Sequence, residues 1–91
     1  IHKGTIETAY TIMNGEYEVI EAEIIETSEL INKELKNSNL PDEIRIGAIL
    51  RDKKVIIPRS DFIFKKDDQV VFLAKKDSIS FVENIFRLSS V

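Results

Sequence analysis

Two arginines bracket a basic turn in AILRDKKVIIPRSD, residues 48–61. A guanidinium is a rigid, planar fork of N–H donors that matches the oxygens of a phosphate or a carboxylate. Arg51 ends the first apolar run, and Arg59 follows Pro58 at the end of the second. With the chain turning around Asp52 to Lys54, both stand near the mouth of a mostly aliphatic sheet surface. There Arg51 could grip an anionic ligand, or pair with Asp52 or Asp61 and do nothing more. The spacing leaves both open.

Carboxylates crowd the strand further upstream, at Glu16, Glu18, Glu21, Glu23 and Glu26. Glu21 and Glu23 share a face by the two-residue period, the arrangement from which a carboxylate pair can do acid–base work. No His or Cys stands near them in sequence, so a solvated strand face is the expectation. His2 is the only histidine and lies at the chain end, where a metal site or a catalytic triad would lack rigid partners. There is no cysteine, hence no disulfide and no thiolate metal site. Asp67-Asp68 after Lys65-Lys66 reads as a turn, since a calcium loop needs acids at alternating positions around a central Gly. Neither a GxGxxG nor a GK[ST] phosphate loop is present. These absences lead to the expectation of no enzyme, no metal and no cofactor of its own.

The remaining cations come in pairs, Lys53-Lys54, Lys65-Lys66 and Lys75-Lys76, at turns and strand ends, where they guard sheet edges against pairing. A net charge of −3, with only Phe62 and Phe64 interleaved among them, does not suit nucleic acid. At 91 residues, 43% hydrophobic and 32% charged, the chain makes one soluble domain. No apolar run approaches the roughly 20 residues that span a bilayer, and no signal peptide opens it. A cytoplasmic location without membrane insertion is expected. The chain begins with Ile1 rather than Met, from which a piece cut from a longer chain is expected.

Elements must position these groups. Asn14-Gly15 sits between two β-rich runs and predicts a tight hairpin turn. Ile6, Thr8, Tyr10 and Ile12 would share one face of the first strand. In the second, Ile20, Ala22 and Ile24 take one face and Tyr17, Val19 and Ile25 the other. A strand apolar on both faces is covered on both, by a helix or a second subunit. Ile31 and Leu35, four apart, predict a short helix within SELINKELKNSNLPDE, ended near Asn37 and Asn39 before Leu40-Pro41. IRIGAILRD reads as a strand with Ile44, Ile46, Ala48 and Leu50 on one face, KVIIP as its partner and QVVFLAK as a third. Asp77 as N-cap, with Ser80 and Glu83 spaced as a capping box, opens a closing helix striped by Ile79, Phe81, Val82, Ile85 and Phe86. The class is α+β: a small mixed or antiparallel sheet, a short helix after the first strands and a C-terminal helix.

From Glu18 onward the ordered motifs are an acid-rich strand, S-x-L-x-x-K-x-L, L-P, I-x-A-I-x-R, V-I-x-P, D-x-V-x-x-L and a helix. They are carried by Ser28, Leu30, Lys33, Leu35, Leu40, Pro41, Ile46, Ala48, Ile49, Arg51, Val55, Ile56, Pro58, Asp61, Asp68, Val70 and Leu73. In this order the chain resembles the C-terminal RCK domain, also called TrkA-C. The resemblance covers residues 16–88 of a single domain at 1–91, with 1–15 as an N-terminal strand or connection. The chain departs from it where Asn32, Ser60 and Asp67 replace usual glycines and Lys53 replaces a turn Gly. Asn and Asp tolerate left-handed backbone, whereas Ser60 and Lys53 imply altered turns.

The resemblance implies a regulatory role in potassium or other cation transport. A nucleotide-binding RCK domain normally precedes such a domain, a homodimer forms through it, and a membrane transport subunit is the partner of the parent protein. It further implies cyclic di-AMP, or another small anionic nucleotide, at the dimer cleft. The site would then use Ile46, Ala48 and Ile49 as an apolar wall and Arg51 against a phosphate, with Ile57 and Pro58 on the same hairpin. The alternative is a dimerisation module that binds no ligand.

Overall fold

The computed structural model describes residues 7–86. His2 and Ile6 lie outside the described residues, as do the side chains of Thr8 and Tyr10. Five strands form one sheet: β1 (Glu7–Ile12), β2 (Tyr17–Glu23), β3 (Ile44–Arg51), β4 (Lys54–Ile56) and β5 (Gln69–Lys75). Their order is β1-β2-β5-β3-β4, antiparallel throughout. A helix, α1 (Ile79–Phe86), closes the fold.

The two-residue period of β2 and β5 turns Ile20, Ala22, Val70, Phe72 and Ala74 to one side, where all are buried. Onto that side α1 presses Val82, Ile85 and Phe86, three residues spaced for one helical stripe. Phe86 stacks on Phe72 with centroids 5.4 Å apart, and Ile24, Leu30 and Phe64 complete the core. Phe81 lies off the stripe and is 41% exposed. The helix start differs from the reading above. Lys76–Ser78 form a 3-10 turn in which the Ile79 N–H donates to Lys76, so Asp77 lies inside a turn and caps nothing.

Three further differences have physical causes. Between β1 and β2 the Gly15 N–H donates to the Ile12 carbonyl, so Met13 and Asn14, both at positive φ, form the turn centre rather than Asn14-Gly15. The β1 register slips between Thr8 and Tyr10, so no unbroken alternation runs along that strand. The expected helix after Ser28 is absent: turns run through the segment, and only Leu35–Asn37 is helical, as a single 3-10 turn. Its backbone groups bond across to residues 60–64 instead. Asn32 N–H donates to Phe64, Leu35 to Phe62, Lys36 to Ser60, and Phe64 back to Lys33. Asn32, at φ 66°, turns the chain into this ladder.

A further difference reorients β3. Its register against β5 slips between Ile46 and Ala48, a β-bulge at Gly47. Ile44 and Ile46 face the core opposite Ala74 and Phe72, and after the bulge Ile49 does so, opposite Val70. Ala48 and Leu50, expected on one face with Ile44 and Ile46, therefore lie on the other. One inserted residue shifts the parity of every later side chain, which brings Arg51 to the core side. The Asp52-Lys53 turn that follows keeps left-handed backbone at φ 51° and 64°, although a Lys stands where Gly is easiest.

Candidate functional site

At the C-terminal end of β3 the Arg51 guanidinium forks onto Asp68. Nε donates to Oδ1 and Nη2 to Oδ2, each at 2.7 Å. Nη2 also donates to the Ile63 carbonyl at 2.9 Å, and the guanidinium lies 4.9 Å from the Phe62 ring centroid. Asp68 is 1% exposed and takes a further bond from the Lys65 N–H. A buried carboxylate is costly unless paired and fully hydrogen-bonded, and the bidentate geometry supplies both. The hydrogen bond to Asp68 raises the Arg51 pKa above its ordinary value, against desolvation and with help from the charges of Asp68 and Asp52. A raised value means that the stability Arg51 contributes is fully present below the ordinary arginine range and is lost only above it. The partner is thus Asp68, not Asp52 or Asp61.

The residues marked from sequence are dispersed. Ile49 is wholly buried beside Val70, while Ala48 faces the opposite side of the sheet. Ile57 is 72% exposed beyond β4, with Pro58 half-buried next to it. Arg51 borders a charged cavity of about 310 Å³ with Asp52, Lys65, Lys66, Asp67 and Asp68, and Ile46 borders a second cavity with apolar residues in its lining. Glu21 and Glu23 lie half-buried on the face away from α1, and among the described residues no group of His, Cys, Asp or Glu is arranged to hold a metal ion.

The second cavity lies at the other end of β3. Because β4 pairs only with Ile49 to Arg51, the outer edge of the first half of β3 carries no strand among the described residues. The segment from Leu35 to Asp42 runs beside that edge and is tied to it by the Ile44 N–H donating to Pro41. Between them is a groove of about 290 Å³ with Leu35, Leu40, Ile44 and Ile46 as apolar lining, and Lys36, Arg45 and Asp42 exposed around it. Ser38 is buried beneath, its hydroxyl donating to Leu35 at 2.7 Å. Lys36 shares a loose 3.9 Å ion pair with Glu34. A flat apolar group with an anionic substituent fits such a lining.

Sequence reading singled out neither Lys36, which falls within the segment read as a short helix, nor Arg45, which falls within the strand IRIGAILRD. The available signal was Leu40-Pro41, which forces an extended segment against the start of β3.

The sheet has a second notable surface. Helix α1 and the core loops all pack on one face. On the other, Val19, Ala48, Leu50, Val71 and Leu73 are half-buried, Val55 is 68% exposed, and no described element covers them. No helix among the described residues is long and apolar enough to cross a membrane.

Comparison with known proteins gives consistent results. The family model of the TrkA-C domain matches residues 19–87. The Trk system potassium uptake protein TrkA of Azorhizobium caulinodans is 37% identical over 89 residues, which cover 98% of this chain and 19% of that protein. A TrkA homolog of Archaeoglobus fulgidus is 38% identical over 64 residues, covering 70% of this chain and 15% of that one. The chain thus spans about a fifth of the length of the curated relatives it matches. Among solved structures, the RCK_C domain dimer of S. agalactiae BusR in complex with c-di-AMP shares the fold. Its TM-score is 0.67 at 22% identity, over 76% of this chain and 95% of that one.

Proposed function

Because the chain belongs to the TrkA-C domain family, we propose that it is a ligand-sensing, dimerising regulatory domain of a potassium or other cation transport system. In this reading the parent protein works on the cytosolic side of the membrane beside a transport subunit, and this domain catalyses no reaction. A small anionic effector sets its state.

The groove beside β3 carries the proposal. An aliphatic lining under Lys36 and Arg45 suits a base and a phosphate held together. About 290 Å³ is at the lower end of ligand pockets and suits one nucleotide unit. Two grooves facing across a twofold axis suit a ligand with two such units. Cyclic di-AMP, the ligand named for the BusR domain dimer, is the first to test. The second copy would sit along the free edge of β3 and the bare sheet face beside it. Ile46 then belongs to the groove lining, Ile49 stays in the core, and Ala48, Ile57 and Pro58 reach the ligand or the second copy only across the dimer.

Calorimetric titration with cyclic dinucleotides and mononucleotides tests this. The expected result is saturable binding of one cyclic dinucleotide per two chains. Dimerisation without binding of any of them would leave the ligand-free module, a reading favoured by the bare apolar sheet face.

A further inference from the structure

Arg51 does not border the groove, yet the hydrogen bonds lead from one to the other. The strap of residues 60–65 runs between them. On one side it is held by Arg51: Nη2 bonds the Ile63 carbonyl, the guanidinium lies over the Phe62 ring, and Asp68, fixed by the same guanidinium, takes the Lys65 N–H. On its other side the strap carries part of the groove. The Phe62 carbonyl accepts from the Leu35 N–H at 2.8 Å, and the Ser60 carbonyl accepts from the Lys36 N–H at 2.9 Å. Leu35 and Lys36 are, respectively, apolar lining and cation of the groove. The strap has no helix or full strand ladder of its own; its pairing with the groove segment is one isolated bridge, Glu34 with Ile63, and the bonds around it. Phe64 anchors it in the core, and Arg51 fixes the two residues before that anchor.

We infer that Arg51, with Asp68, is a positioning residue for the groove. It holds the strap against the end of β3, and the strap sets where Leu35 and Lys36 stand. Loss of the fork would leave the core intact and let the groove segment move. The role rests on the groove being the effector site, but its first test does not.

That test is amide hydrogen exchange on the whole domain, comparing wild type with Arg51→Lys, which keeps the charge and loses the fork, and with Asp68→Asn. Exchange at Leu35 and Lys36 is expected to rise about tenfold in both variants, while Ile20 and Phe72 in the central strands change far less. Equal rises everywhere, or none at Leu35 and Lys36, would overturn the inference. If Asp68→Asn does not fold, Arg51→Lys, which keeps a counter-ion for Asp68, carries the comparison.

Titration with cyclic di-AMP is the second arm. A positioning role predicts affinity about five- to tenfold weaker in Arg51→Lys and in Asp68→Asn, with the double variant no weaker than either. Direct contact of Arg51 with the ligand predicts the opposite pattern: Asp68→Asn frees the guanidinium and preserves or tightens binding, which overturns the inference. Absence of binding to wild type removes the effector reading, and the exchange arm then decides the positioning role alone.

Discussion

The two ends of β3 carry the same kind of residue to different effect. Arg51 at one end has its Nε and Nη2 held by a buried carboxylate and a carbonyl. Arg45 at the other stands exposed beside Lys36, around a groove with an aliphatic lining. Residue type does not separate them; the company does. A cation whose donors are already taken by a buried partner is a fixture of the fold, because breaking the pair leaves a charge that water cannot reach. A cation left at the rim of a partly apolar groove has its donors available to a ligand.

The most severe way to break this contrast is at the fixture. Arg51→Ala is expected to cost about 3 kcal/mol, since Asp68 stays buried without its counter-ion. Urea unfolding should show a lower midpoint at an unchanged slope. A loss under about 0.5 kcal/mol would put Arg51 among ordinary surface charges. At the groove end the pattern should invert. Lys36→Ala or Arg45→Ala should weaken cyclic di-AMP binding by about ten- to a hundredfold, the loss of one charge-assisted contact. Either should move stability by less than about 0.5 kcal/mol. Between the two ends, Ala48→Glu puts a charge on the bare sheet face and should raise the dimer dissociation constant by about tenfold or more in sedimentation. An unchanged dimer would move the interface elsewhere. The smallest effect belongs to the turn beside the fixture. Lys53→Gly relieves a left-handed Lys and should add about 1 kcal/mol to stability without altering ligand affinity.

Much of the fold was legible in the sequence, because regular alternation in β2 and β5 and the apolar stripe of α1 are local signals that burial then respects. The α+β class and the strand order along the chain follow from them. The short helix was not legible: Ile31 and Leu35 have helical spacing, but Asn32 takes left-handed backbone and the amide groups find partners in residues 60–64. On β3 the hydrophobic pattern alone runs past Gly47 as if it were an ordinary position. Arg51 was marked for the right reason, the fork, and given the wrong acid, since Asp68 is distant in sequence and arrives through the β5 pairing. The groove depends on a loop packing beside an unpaired edge, which no local pattern encodes.

Gly47 makes β3 behave like a text with one supernumerary letter. Gly47 and Ala48 together occupy a single outward step opposite Val71. Deleting Gly47 would straighten the strand, yet leave Ile44, Ile46, Ile49 and Arg51 in frame on the same side. Deleting Leu50 would throw Arg51 out of frame and away from Asp68. A related chain one residue shorter here could therefore spell the same core, and a gap placed two residues late in an alignment would pair Ala48, which faces away from the core, with a residue that faces into it.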